Sequence, residues 1–297
     1  MAFSQTGLTR RQLVGFAAMA AVVAPFALAG CTTTDNDKKE EKKEETPADD
    51  AKDEAPADDK EAAEYTLVSE GKLTFASSPD YPPFENLAED GETYVGFEVD
   101  LIQEICKRMG LECVIKPLQF DAIIPAIVQG GQYDVGVSGF SVTPDRKKEI
   151  DFTEAYYTDD MAVIVTVDSD ITAENVREEL NKSTRTIVAQ SGTTGETYAK
   201  ENFPEATVKG LGGANDTFAA LQASQADAIC TNNSVAADVI KSYPEQHIIM
   251  REATGEDYAM VVSKENPGLT AAISAVIKEM KEDGKLDELL AAWNLNA

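Results

Sequence analysis

The chain has 297 residues, a formal net charge of −27 and one histidine. An acidic surface of this kind excludes the clustered Lys and Arg that nucleic-acid binding requires. The single His247 and the absence of any His/Cys group at metal-ligand spacing leave no zinc site and no Ser-His or Cys-His nucleophile pair to read.

From the N-terminus, Arg10 and Arg11 precede an apolar run from Leu13 to Leu28 that ends Leu28-Ala29-Gly30-Cys31. A charged n-region, a short apolar h-region and small residues at the boundary read as an export signal, too short to favour a permanent span. Residues 32–64 follow, with 14 Asp/Glu against 6 Lys and almost no apolar side chains. Such a stretch cannot offset its ordering entropy, and it reads as a disordered acidic linker. Pro47-Ala48-Asp49-Asp50 recurs within it as Pro56-Ala57-Asp58-Asp59.

The remaining 233 residues have globular composition, enough for one large domain or two lobes. The pattern predicts a strand over Lys72–Ala76 and a helix over Glu98–Met109, stopped by Gly110. A strand at Cys113–Lys116 follows, then a helix capped by Asp121 and closed by Gly130-Gly131, then a strand at Tyr133–Val137. A second series predicts strands at Thr186–Ala189, Thr207–Gly210, Ala228–Thr231 and His247–Met250. Helices at Thr194–Asn202, Asp216–Ala223 and Ser234–Ser242 alternate with them, and an amphipathic tail spans Ala271–Trp293, broken near Gly284. Two β-α-β series imply an α/β protein of two lobes with largely parallel sheets, and a ligand site at the carboxyl ends of the strands.

Five segments then read together: Ser78-Pro79-Asp80-Tyr81-Pro82-Pro83-Phe84-Glu85, Gly96 to Leu101, Phe120 to Pro125, Ser138 to Arg146, and Asp151 to Tyr157. In order and spacing this series resembles the polar amino-acid-binding proteins of ABC importers, solute-binding protein family 3. The resemblance runs from about Lys72 to the C-terminus. It implies a periplasmic-binding-protein-like type II fold with two interlobe crossovers, near Asp160–Val165 and Asp257–Val261. Lobe 1 is then expected at 65–161 and 260–297, and lobe 2 at 162–259. The expected function is capture of a polar amino acid by hinge closure and delivery to a membrane permease. No catalysis and no cofactor are implied, and the protein is expected to be a monomer.

The chemistry of the residues agrees. The guanidinium of Arg146 offers a planar fork for a carboxylate. Ser141 and the backbone amides near Gly139 and Ser141 could donate to the same oxygens, with Gly139 admitting close approach. Gln190-Ser191-Gly192-Thr193-Thr194 opens a helix, where free amides suit an anion. The resemblance puts Thr193 and Thr194 on the ligand carboxylate and Tyr81 and Phe120 beside the ligand side chain. Phe84 and Phe140 read as core or cleft edge. Asn232 stands where many relatives place an Asp for the ligand ammonium. Ser78 stands where relatives selecting basic amino acids carry an Asp, which argues against a basic ligand. Asp80 or Glu85 could supply the missing carboxylate.

The Cys31 boundary resembles a lipoprotein signal, which implies acylation of Cys31, palmitate included, and anchoring to the cell membrane outside the cytoplasm. Thr9-Arg10-Arg11-Gln12-Leu13 also resembles a twin-arginine export signal. Cys106 and Cys113 match a disulfide carried by some members of the family, and Cys230 reads as a buried free thiol. Two competing readings use the same scaffold. One is a dehydratase-like enzyme, for which the sequence picks out no cleft carboxylate. The other is a sensory ligand-binding module, expected with a transmembrane signalling region that does not follow before Ala297.

Overall fold

The structure is a computed structural model, and it describes residues 64–296. The signal region, Cys31 and the acidic linker up to residue 63 lie outside the described residues. In chain order the first elements are β1 (Lys72–Ser77), the short strands β2 (Asp80–Tyr81), β3 (Glu85–Leu87) and β4 (Tyr94–Val95), and helix α1 (Phe97–Met109). Then come β5 (Glu112–Pro117), α2 (Phe120–Gln129), β6 (Val135–Gly136), α3 (Arg146–Glu149) and β7 (Ile150–Phe152). The next series is β8 (Tyr157–Thr166), α4 (Val176–Leu180), β9 (Thr186–Gln190), α5 (Thr194–Asn202), β10 (Thr207–Leu211), α6 (Ala214–Gln222), β11 (Ala228–Asn232) and α7 (Asn233–Val239). The chain ends through β12 (Gln246–Tyr258), β13 (Val261–Ser263), α8 (Pro267–Glu282) and α9 (Lys285–Ala292).

Two five-stranded sheets result, ordered β5-β1-β6-β13-β7 and β10-β9-β11-β8-β12. In the first, β1 pairs in parallel with β5 and β6, while β13 runs antiparallel to β6 and β7. In the second, β9 pairs in parallel with β10 and β11, while β8 runs antiparallel to β11 and β12. The chain passes from one sheet to the other at β7–β8 and returns at β12–β13. The two long strands β8 and β12 are themselves paired, from Gln246 opposite Thr166 to Tyr258 opposite Tyr157.

Burial explains the elements. Strands covered on both faces read as continuous apolar runs: Val163, Ile164 and Val165 of β8 are fully buried, as are Ala228, Ile229 and Cys230 of β11. On α1, Phe97, Leu101, Ile102 and Ile105 fall on one buried face, and such side chains each contribute ~1.5–3 kcal/mol. Gly110 ends this helix in the left-handed conformation, φ 68°. At Gly195, in the first turn of α5, an added Cβ would lie 2.6 Å from the Cys230 carbonyl oxygen; glycine therefore lets the helix start lie directly against β11.

Several details differ from the sequence reading. Asp121 does not cap α2; Gln119 holds the cap position, and Asp121 sits in the first turn. The strand expected at His247–Met250 extends to Tyr258, because two register shifts break its alternation without ending its pairing with β8. His247 stands exposed on it. No disulfide joins Cys106 and Cys113: both are free thiols, as is the buried Cys230. Hydrogen bonding between the first two pushes the Cys106 thiol well up and lowers that of Cys113.

Candidate functional site

Both parallel sets of strands present their carboxyl ends to one place. Tyr81 follows β1, Phe120 opens α2 after β5, and Gly139 and Ser141 follow β6. From the second sheet, Thr193 and Thr194 follow β9, and Asn232 ends β11. Together with Arg146 these eight residues line a single small cavity of about 10 Å³.

The segment Thr143-Pro144-Asp145-Arg146 folds as a helix start. The Thr143 hydroxyl accepts from the Arg146 N–H at 3.2 Å, and the proline next to it has no N–H to leave unpaired. The Arg146 guanidinium lies over the rings of Phe120 and Phe140, 5.5 and 5.3 Å from their centroids. Those rings stack on each other at 4.6 Å. Cation–π attraction thus fixes its plane, while Nη1 donates to the Ser141 carbonyl at 2.8 Å and Nη2 to the Gly192 carbonyl at 2.9 Å. Burial pushes its pKa down to about 10, which leaves the side chain charged at neutral pH. Phe140 is therefore part of the arginine seat as well as of the core.

Thr193 caps α5: its hydroxyl accepts from the Glu196 N–H and donates to the Gln190 carbonyl. That hydroxyl is committed to the helix, whereas the Thr194 hydroxyl faces the cavity and lies 3.4 Å from that of Ser141. Tyr81 Oη donates to Asn232 Oδ1 at 2.7 Å, and its burial raises the phenol above the ordinary tyrosine range. The Gly139 N–H, expected to face a ligand, instead donates to the buried Glu98 carboxylate. Glycine is still required there, since φ is +56° and a Cβ would meet the Tyr81 ring at 3.0 Å.

The two carboxylates considered as substitutes at position 232 point elsewhere. Glu85 is fully buried, accepts from the Ser138 hydroxyl at 2.6 Å, and is raised by burial and by the neighbouring Glu98. Asp80 accepts from the Ala214 N–H at 2.7 Å and from the Ser78 hydroxyl at 2.9 Å. The carboxylate that touches the cavity lining is Glu256 of β12, which the sequence reading did not single out. Its Oε2 accepts from Ser141 Oγ and Thr194 Oγ1, each at 2.6 Å, and from Asn232 Nδ2 at 3.2 Å. The one available signal was Gly255, a glycine inside a strand-like run, which often marks a bulge. Among the described residues there is no cluster of three His, Cys, Asp or Glu side chains that could hold a metal.

The sequence profile of the bacterial extracellular solute-binding proteins, family 3, matches residues 73–296. The chain belongs to that family. It is 27% identical over 227 residues to the ABC transporter arginine-binding protein 1 of Escherichia coli (strain K12), covering 75% of this chain and 90% of that protein. It is 30% identical over 204 residues to the ABC transporter glutamine-binding protein GlnH of Bacillus subtilis (strain 168), covering 67% and 72%. Among solved structures it is similar to an ancestral arginine-binding protein bound to arginine. The TM-score is 0.70 at 32% identity, with 75% of this chain and 98% of that one covered. An ancestral arginine-binding protein bound to glutamine gives a TM-score of 0.71 at 31% identity, covering 77% and 100%. These relatives are binding proteins rather than enzymes, and this family-3 protein shares their α/β fold. None of its described helices is long and apolar enough to cross a membrane.

Proposed function

We propose that this family-3 protein is the extracytoplasmic receptor of an ABC importer and binds a polar amino acid between two lobes. In this reading residues 65–161 and 260–297 form lobe 1, residues 162–259 form lobe 2, and the paired strands β8 and β12 carry the hinge. The observation that carries it is the convergence of Arg146, Ser141, Thr194, Tyr81, Phe120 and Asn232 on one cavity at the carboxyl ends of both sets of strands. The guanidinium and the two hydroxyls suit a carboxylate, and the aromatic rings of Tyr81 and Phe120 suit the stem of a side chain. Gly139 and Thr193 complete the lining, the first through space and the second by capping α5. Relatives named for arginine and for glutamine bracket the ligand class, a polar amino acid. Ser78, where basic-selective relatives carry an Asp, favours an uncharged side chain.

Closure over the ligand would expose a surface that a membrane permease can distinguish from the open form. The N-terminal sequence supports export and acylation at Cys31, with the acidic linker as tether. Membrane fractionation of cells expressing Cys31→Ala checks the anchor, which predicts release of that variant from the membrane. The function is tested by a thermal-shift screen of the purified protein against the twenty L-amino acids and several dipeptides. A ligand specific to the folded state contributes ~2.7 kcal/mol at a hundredfold excess over its Kd. A raised midpoint with one or a few polar amino acids is expected; no shift with any of them, in protein cleared of carried-over ligand, overturns the reading.

A further inference from the structure

An α-amino acid is a zwitterion, so a site that binds it closely needs one positive and one negative partner. Of the eight residues that line the cavity, Arg146 alone carries a charge. A desolvated ammonium facing only Asn232 and Tyr81 would lack the charge-assisted bond that makes such contacts strong. The missing negative charge is at hand one layer out. Glu256 Oε2 sits against three of the lining residues, Ser141, Thr194 and Asn232, at 2.6, 2.6 and 3.2 Å.

Its placement is built into the backbone. Between Glu252 opposite Met161 and Glu256 opposite Asp159, β12 carries extra residues that β8 does not match. Gly255 in this bulge has φ +60°, a conformation that favours glycine, and its N–H donates to Asp160 Oδ1 at 3.1 Å. Beyond it the strand rejoins the register, with Val142 N–H donating to the Asp257 carbonyl at 2.8 Å. That bond holds the Ser141 segment beside the bulge.

We propose that Glu256 receives the α-ammonium of the bound amino acid, in place of a carboxylate at position 232, and so selects zwitterions over simple carboxylates. The proposal rests on the amino-acid reading of the cavity. The ligand carboxylate takes the Ser141 and Thr194 hydroxyls, and Glu256, relieved of those two donors, turns its charge to the ammonium. The Asn232 amide, held by Tyr81 on its oxygen, bridges to Glu256 through its nitrogen and fixes the carboxylate's position.

Isothermal titration calorimetry of the wild-type protein and of Glu256→Gln tests this. The probes are the twenty L-amino acids together with 5-guanidinopentanoate and 4-carbamoylbutanoate, which are arginine and glutamine without the α-amino group. Glu256→Gln is expected to lose on the order of 10- to 100-fold in affinity for the amino acid that the wild type binds, the range for a hydrogen bond to a charged group. Glu256→Gln/Asn232→Asp, which returns a carboxylate to the neighbouring position, is expected to recover most of that loss. Wild-type protein is expected to prefer arginine or glutamine over its desamino analogue. Equal or tighter amino-acid binding by Glu256→Gln overturns the proposal, tighter binding marking Glu256 as an internal competitor for the carboxylate donors. Equal wild-type binding of an amino acid and its desamino analogue overturns it without any variant. Wild-type protein that binds none of the twenty overturns the amino-acid reading itself, and the proposal with it.

Discussion

Tyr81 Oη donates to Asn232 Oδ1 at 2.7 Å, a bond between residues 151 positions apart. One follows β1 of the first sheet and the other ends β11 of the second, so the bond exists only while the two sheets' carboxyl ends face each other closely. In the proposed closure over a ligand, this contact would belong to the closed state. Tyr81→Phe keeps the ring against the ligand and removes only the donor. It should lower amino-acid affinity by ~1 kcal/mol, about fivefold, as expected for loss of one buried neutral hydrogen bond. Calorimetric titration beside the wild type checks this, and unchanged affinity would show that closure does not depend on the bond.

Arg146 is held by two carbonyls and two aromatic rings, none of which neutralises its charge. Arg146→Ala should weaken amino-acid binding by ~2–5 kcal/mol, since the ligand carboxylate loses its charged partner. Arg146→Lys should fall between the two, because an ammonium keeps the charge without the planar fork. Thermal unfolding of both variants should stay close to the wild type; a variant that folds and still binds at full affinity would remove Arg146 from the site.

Much of this arrangement is legible in the sequence for a physical reason. Helix periodicity in Val99, Ile102, Ile105 and Cys106, and short apolar runs such as Ala228-Ile229-Cys230, report burial directly, and burial is what folds the chain. The cavity residues lie just after those runs, where strand ends meet turns rich in Gly, Ser and Thr. What the sequence hides depends on backbone geometry that leaves little local mark. The two- and three-residue strands β2, β3 and β4 are too short to show a period. The Gly139 amide is claimed by Glu98, a residue 41 positions away. Glu256 reaches the cavity only because a bulge interrupts β12, and the alternation expected of a strand fails at that same point. Asp121 has a residue type suited to capping, but the helix begins two residues earlier than that cap requires and leaves Gln119 at the cap.

Asp159 is buried on β8, and burial raises it from the ordinary 3.8 to about 6 despite bonds from the Asp160 and Ser234 N–H groups. In the window between those values the folded protein retains a proton that the unfolded chain releases. Stability from this group is therefore full below about pH 4 and is lost as pH rises through 6. Asp159→Asn, neutral throughout, removes the dependence. Urea unfolding at pH 4 and pH 7 should find the variant gaining ~2–3 kcal/mol on the wild type between the two pH values. A constant difference would mean that the carboxyl titrates alike in both states.

The Cys106 and Cys113 thiols lie at the end of α1 and the start of β5, where Cys113 pairs with Leu73 of β1. Both are free thiols in the structure. Export to an oxidising compartment would favour their bridge, and closing so short a loop contributes ~2–3 kcal/mol in the chain-entropy model. Cys230 is fully buried and pushed up to about 12, so it should stay unreacted. Mass spectrometry of the exported protein, alkylated without reductant and then digested, should find Cys106 and Cys113 joined and Cys230 modified only after unfolding. Alkylation of both Cys106 and Cys113 under those conditions would exclude the bridge. In that case the raised Cys106 and lowered Cys113 mark a reduced thiol pair packed between α1 and β5, and dithiothreitol should leave the unfolding midpoint where it was.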